Sequence, residues 1–295
     1  MKKVCILFGI IFLIIAAPLF AVDFIIGAKT GYYIWEPYLD EIPNSGIDGV
    51  DRGDGLLYGP VASSSLTDNL SISISALFGM QSKHWTDTEN TVDFGGSESL
   101  TSGTYYADMK RRDIDFAISY RIFKQFKFIA GYKYQHIEMT FKETALINGP
   151  TYYNVRHHHV LVNIPSHGPA FGFGYAHTFS EIFFASVNLT GLYMWSKFEI
   201  DENDIVFYEP DGTVFQKNPD PQEDVSFDTR QVGFNLEPSF GSVIQNNLIF
   251  VIGLRYQMLK TKFVDKFVVG TNDLTPGGWV TDSIYGAFVS VMYVF

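Results

Sequence analysis

Apolar and polar residues alternate along most of the chain with a period of two. In "LSISISALFGM", Leu70, Ile72, Ile74, Ala76, Phe78 and Met80 share one face, and Ser71, Ser73 and Ser75 share the other. In "DIDFAISYRI", Ile114, Phe116, Ile118, Tyr120 and Ile122 oppose Asp113, Asp115, Ser119 and Arg121. In "IFFASVNLTGLYMW", Phe183, Val187, Leu189, Tyr193 and Trp195 oppose Ser186, Asn188 and Thr190. This is the pattern of strands with one apolar and one polar face. Ten such runs are predicted, at about 24–39, 55–66, 70–85, 105–123, 127–144, 167–179, 183–200, 227–244, 248–263 and 280–295.

The gaps between runs alternate in length. The short ones are Thr67–Asn69, Lys124–Phe126, Ser180–Ile182 and Gln245–Asn247, and the long ones are about 40–54, 86–104, 145–166, 201–226 and 264–279. A soluble sandwich also alternates. Long strands joined by short turns at one end and long loops at the other instead predict an all-β, transmembrane, antiparallel up-and-down barrel of about ten strands. Three-residue turns pair Leu66 with Leu70, Ile122 with Phe128, Phe179 with Phe183, and Ile244 with Leu248. Apolar faces then meet apolar faces in all four hairpins, whereas a one-residue slip inverts a whole face.

The opening segment "MKKVCILFGIIFLIIAAPLFA" has two lysines, an apolar run too short for a membrane span, and a small residue at Ala21. That predicts a secretory signal peptide over 1–21 and a barrel over 22–295. The lone cysteine, Cys5, falls in the signal, so the remainder has no disulfide and no cysteine-metal site. Loss of the two signal lysines moves the formal charge from −11 to −13, which excludes nucleic acid as a partner. No later run is an apolar helix of spanning length, so a membrane crossing must use a closed sheet.

The chain finishes on "AFVSVMYVF", where Val289, Val291, Tyr293 and Phe295 share the outward face with Tyr285 and Ala287. This resembles the C-terminal signal of bacterial outer-membrane barrels. The resemblance implies an outer-membrane location and recognition by the barrel-insertion machinery. The last strand must also zip to the first, leaving no edge.

Just beyond the outward aromatics come Lys110 and Arg112, Lys197, Arg230, and Lys260 and Lys262. They read as a basic collar above an aromatic girdle: either a solvated rim, or a site for lipid phosphates of the outer leaflet, such as lipopolysaccharide. On the inward face, Gly131, Gly172, Gly174, Gly233, Gly253 and Gly286 leave room, while Lys29, Asp113, Asp115, Lys133, Glu237 and Arg255 fill it. The expected register puts Glu237 opposite Arg255, Asp115 opposite Gln135, and Lys133 diagonal to Asp115. A barrel this narrow is filled by side chains, so an ion-pair network is expected to plug the lumen.

The loops carry weaker signals. Residues 40–54 and 201–226 together hold −11 of the −13 charges, which keeps the surface solvated or offers oxygen ligands to calcium. Arg52–Asp54 spells the adhesive tripeptide "RGD" in the first long loop, and His157, His158 and His159 fall in the third. No cofactor or metal is implied. Trp85-Thr86-Asp87, together with the ten-strand layout, resembles the omptins, the outer-membrane proteases. The resemblance implies water activation by paired aspartates and a His-Asp pair. However, the stretch before Trp85 reads "GMQSKH", and the fourth loop offers Asp204 but no histidine. The general base is therefore missing, and a non-enzymatic adhesion, binding or structural role is expected. The alternatives are a narrow cation-preferring pore and a diverged omptin-like protease.

Overall fold

The computed structural model describes residues 23–38, 52–93, 98–148, 153–208, 214–217, 225–244, 247–266, 268–269, 272–273 and 278–295. Over 81–93, 98–106, 143–148, 153–159, 202–208, 214–217, 225, 268–269 and 272–273 it describes the backbone alone. The barrel strands are β1 (Asp23–Glu36), β2 (Gly53–Ser65), β3 (Leu70–Asp93), β4 (Glu98–Arg121), β5 (Phe126–Asn148), β6 (Tyr153–Thr178), β7 (Phe183–Tyr208), β8 (Val225–Ile244), β9 (Leu248–Phe263) and β10 (Val280–Val294). A short strand, Val214–Lys217, adds to the end of β7, and Val268–Val269 pairs with Asn272–Asp273. Each barrel strand pairs antiparallel with its sequence neighbour, and β10 pairs with β1 from Ile25↔Val294 to Glu36↔Ser283. The result is a closed ten-stranded antiparallel barrel with every strand paired on both sides.

The alternation sorts residues as the sequence implies. Outward positions such as Tyr58, Ile118, Phe173, Leu189, Ile252 and Val291 are exposed, and the inward neighbours of the belt are mostly buried or half-buried. Ladder pairing lapses beside Pro60, Pro165, Pro169 and Pro238, because proline has no N–H to give the adjacent strand.

Two expectations need correcting. First, β3 to β7 run far past their predicted ends, each having 23 to 26 residues. Most of 86–104, and all of 145–166 outside 149–152, is strand rather than loop. Above the apolar belt the apolar residues turn inward, as Met109, Met139, Val162 and Ile164 do, while the outward positions become polar, so the backbone ladder continues past the point where the outward apolar face that marks it ends. Second, the turn between β4 and β5 lies two residues from its expected register. Ile122 N donates to Phe126 O (2.9 Å), and Tyr120 faces Phe128. A two-residue shift keeps every side chain on its face, so the apolar pattern could not detect it. The other three hairpins have the expected register.

The interior has three layers. Next to the short turns is a cavity lined by both charged or polar and apolar side chains. A charged cluster follows at mid-barrel. Beyond it lies an apolar cap that the sequence reading did not anticipate, built on Trp35, Met109, Met139, Ile164, Phe198 and Ile284. Tyr38 joins that cap, with its ring 6.3 Å from those of both Phe198 and Phe263.

Candidate functional site

The mid-barrel cluster is centred on Asp113, which is fully buried. Its Oδ1 accepts from Arg111 Nε (3.0 Å) and its Oδ2 from Arg255 Nη2 (3.0 Å), with Lys133 Nζ at 3.6 Å. Lys133 also donates to Asp115 (2.8 Å), its direct cross-strand partner after the register shift. Arg111 Nη2 and Gln257 Nε2 both donate to Gln135 Oε1, at 2.8 and 3.0 Å. Arg255 completes the ring through Gln257 Oε1 (2.9 Å) and Asn235 Oδ1 (3.2 Å).

Glu237 does not ion-pair with Arg255. The flanking pairs keep the two residues opposite each other, but Pro238 interrupts the ladder there. Glu237 instead pairs with Lys29 of β1 and accepts from Asn235. The physical reason is curvature. Inward side chains of a narrow closed barrel meet across the lumen, so Arg255 reaches Asp113 on the opposite wall. A cross-strand argument sees only neighbours. Arg111 was also overlooked, although it lies between the outward Lys110 and Arg112 and the same two-residue period puts it inside. Near the apolar cap, Trp35 Nε1 donates to the buried Asp282 (2.7 Å).

Outside, Lys110, Arg112, Lys197, Lys260 and Lys262 are exposed and Arg230 is half-buried. They form two patches rather than a full ring. On β4, Lys110 pairs with Glu138 (2.6 Å), and Arg112 sits between Phe78 and His136. On β7 to β9, Trp195, Arg230 and Lys262 occupy one row, with Lys260 and Tyr193 in the row below and Lys197 above. Lys197 has Glu199 at 3.4 Å. Arg230 directly facing Lys262 is a like-charge pair, which is unfavourable unless an anion lies between them.

Val289, Val291, Tyr293 and Phe295 are exposed on the outer face of β10. Phe295 N donates to Phe24 O (2.8 Å) at the seam with β1. The histidines at 136, 167 and 177 make outward hydrogen bonds to Asn163, Tyr132 and Gln125, respectively.

The RGD triplet is not a loop tip. Gly53 and Asp54 begin β2, paired with Trp35 and Ile34, which removes the free turn an adhesive tripeptide needs. His157, His158 and His159 lie on β6, opposite Thr144, Glu143 and Lys142 of β5. Trp85, Thr86 and Asp87 lie on β3, and Asp204 lies on β7. The side chains of these last two groups are outside the described residues, as are all of residues 1–22 and 39–51.

No protein-family model and no curated protein matches the chain. Among solved structures, the outer membrane protease OmpT from Escherichia coli matches at 10% identity, covering 92% of this chain and 96% of that one, with a TM-score of 0.48. The toluene transporter TbuX of Ralstonia pickettii matches at 11% identity, 92% and 89% coverage, and a TM-score of 0.35. The outer membrane protein OprG from Pseudomonas aeruginosa matches at 12% identity, 93% and 96% coverage, and a TM-score of 0.27.

Proposed function

We propose that this chain is a bacterial outer-membrane β-barrel that does not conduct and acts without enzymatic chemistry, as an adhesive, binding or structural element of the cell surface. The carrying observation is a closed barrel with exposed apolar residues around its outer face and a lumen filled at mid-height. A spanning strand needs about 9–11 residues. Strands of 23 to 26 residues therefore raise a tall wall beyond the membrane, available for binding. In this reading, the outward face of Val289, Val291, Tyr293 and Phe295 is the part read by the insertion machinery.

Single-channel recording tests the closed lumen. The full chain is produced in a Gram-negative host and purified as processed there. We expect it to insert into a planar bilayer without discrete conductance steps. Stable cation-selective steps would replace this reading with a pore. Cleavage of basic peptides, abolished by Asp87→Ala or Asp204→Ala, would replace it with a protease.

The patch on β7 to β9 supports a lipid-phosphate partner, such as lipopolysaccharide. Changing Lys197, Arg230, Lys260 and Lys262 together to glutamine is expected to weaken binding to lipopolysaccharide-containing vesicles by about a hundredfold to a thousandfold, given roughly 1 kcal/mol per basic residue near an anionic surface. Unchanged affinity would leave the patch as a solvated rim.

A further inference from the structure

The cavity beside the short turns has a volume of about 540 Å³. Its lining includes Lys29, Lys127, Lys133, Asp115, Glu237 and Asn188. Two of its three lysines are engaged: Lys29 with Glu237, and Lys133 with Asp115. Among the described residues, Lys127 has no carboxylate within ion-pair distance: Glu237, the next member of its row beyond Asn188, is taken by Lys29, and the cavity lining as a whole keeps one net positive charge. An unpaired charge in a confined lumen is costly and calls for a counter-ion.

The surroundings of Lys127 make this more specific. Lys127, Gly174 and Asn188 occupy one inward row across β5, β6 and β7. A Cβ on Gly174 would fall 2.4 Å from Lys127 Cε and 2.6 Å from Asn188 Oδ1, so both side chains fold over the bare glycine. The Asn188 side-chain oxygen is buried without a hydrogen-bond partner among the described residues, so the amide is not fixed by a bond at that atom, and it serves an anion when turned to present its Nδ2 donors. On the other side, Lys127 faces Arg121, which is exposed at the short-turn mouth. Two cations opposite each other repel unless an anion bridges or follows them. Ser186 and Ser239, hydrogen-bonded to each other at 2.8 Å, add neutral polar groups in the next row.

We infer that the short-turn half of the lumen is a blind binding pocket for a small oxyanion solute bearing a carboxylate or phosphate group, held by the Lys127 ammonium over Gly174. Arg121 draws the anion in from the short-turn side. The mid-barrel cluster and the apolar cap close the other end, so the pocket binds without passing its ligand through. This goes beyond the proposed surface role and rests only on its closed lumen; phosphate binding and bilayer conductance are read separately, so the two can fail independently.

The test is calorimetric titration of the purified full chain with inorganic phosphate in a non-ionic detergent, with barrel integrity checked by heat-dependent gel migration. One saturable site per chain is expected. Lys127→Gln should weaken phosphate at least tenfold and Arg121→Gln severalfold, while Lys124→Gln, in the exposed turn, should have no effect. Gly174→Ala should also weaken binding, because it displaces Lys127 and Asn188 without altering charge. Lys127→Arg should retain binding. Absence of saturable binding to the intact barrel would overturn the inference, as would equal affinity in Lys127→Gln, or a Lys124→Gln loss as large as that of Lys127→Gln.

Discussion

Asp113→Ala is expected to lower the unfolding free energy of the barrel by about 3–5 kcal/mol, the range for removing one partner from a buried ion pair. Asp113 is fully buried and engages Arg111, Arg255 and Lys133. Among the described residues, its removal leaves Asp115 as the sole carboxylate bound to Lys133, and Arg111 and Arg255 with none. The two arginines would then rely on the neutral oxygens of Gln135, Gln257 and Asn235. The cluster also links opposite walls, since Arg255 of β9 and Asp113 of β4 meet across the lumen. Asp113→Asn keeps the shape and loses the charge, so its loss should be intermediate. Urea unfolding in lipid vesicles, followed by tryptophan fluorescence and gel migration, reads both changes. A shift below about 1 kcal/mol would place this cluster with solvent-exposed ion pairs instead.

Gly172→Val should cost at least about 3 kcal/mol, at or above the upper end of ordinary overpacking, or prevent folding altogether. A Cβ at Gly172 would lie 2.0 Å from Leu189 O and 2.7 Å from Thr190 Cα. Both are backbone atoms of the paired strand, so no side chain can swing away. β6 and β7 would have to part at a height where lipid offers their backbone no replacement hydrogen bond. Gly191→Ala is the control. Its nearest backbone neighbour is Phe171 O at 3.6 Å, and the change should remain within about 1 kcal/mol of the parent, with stabilisation the more usual sign. Equal effects at the two positions would refute the close-approach argument.

Some of these features were legible in the sequence because they depend only on neighbours along the chain. The period of two assigned Ile118 and Val291 to the outside and Asp113 and Arg255 to the inside, and the same parity applied to Arg111 and Lys127 would have found both. Gly131, Gly172 and Gly174 stood out as inward residues without side chains. The extension of β3 to β7 beyond the belt was hidden because the apolar side changes from the outer face to the inner one there, as at Met109, Met139 and Ile164, so the outward apolar rule that marks the belt strands stops applying.

The amino-acid pattern by itself determined the fold class, the face on which each belt residue lies, and the need to close the sheet, because backbone pairing and burial in lipid act through local periodicity. Only the tertiary structure decided the two-residue register between β4 and β5, since a shift of two leaves every face unchanged. It alone decided that Asp113 takes Arg255, that Glu237 takes Lys29, and that Lys127 is left over. Those choices are made across a curved lumen, between side chains as many as 208 residues apart, where distance depends on closure and not on sequence.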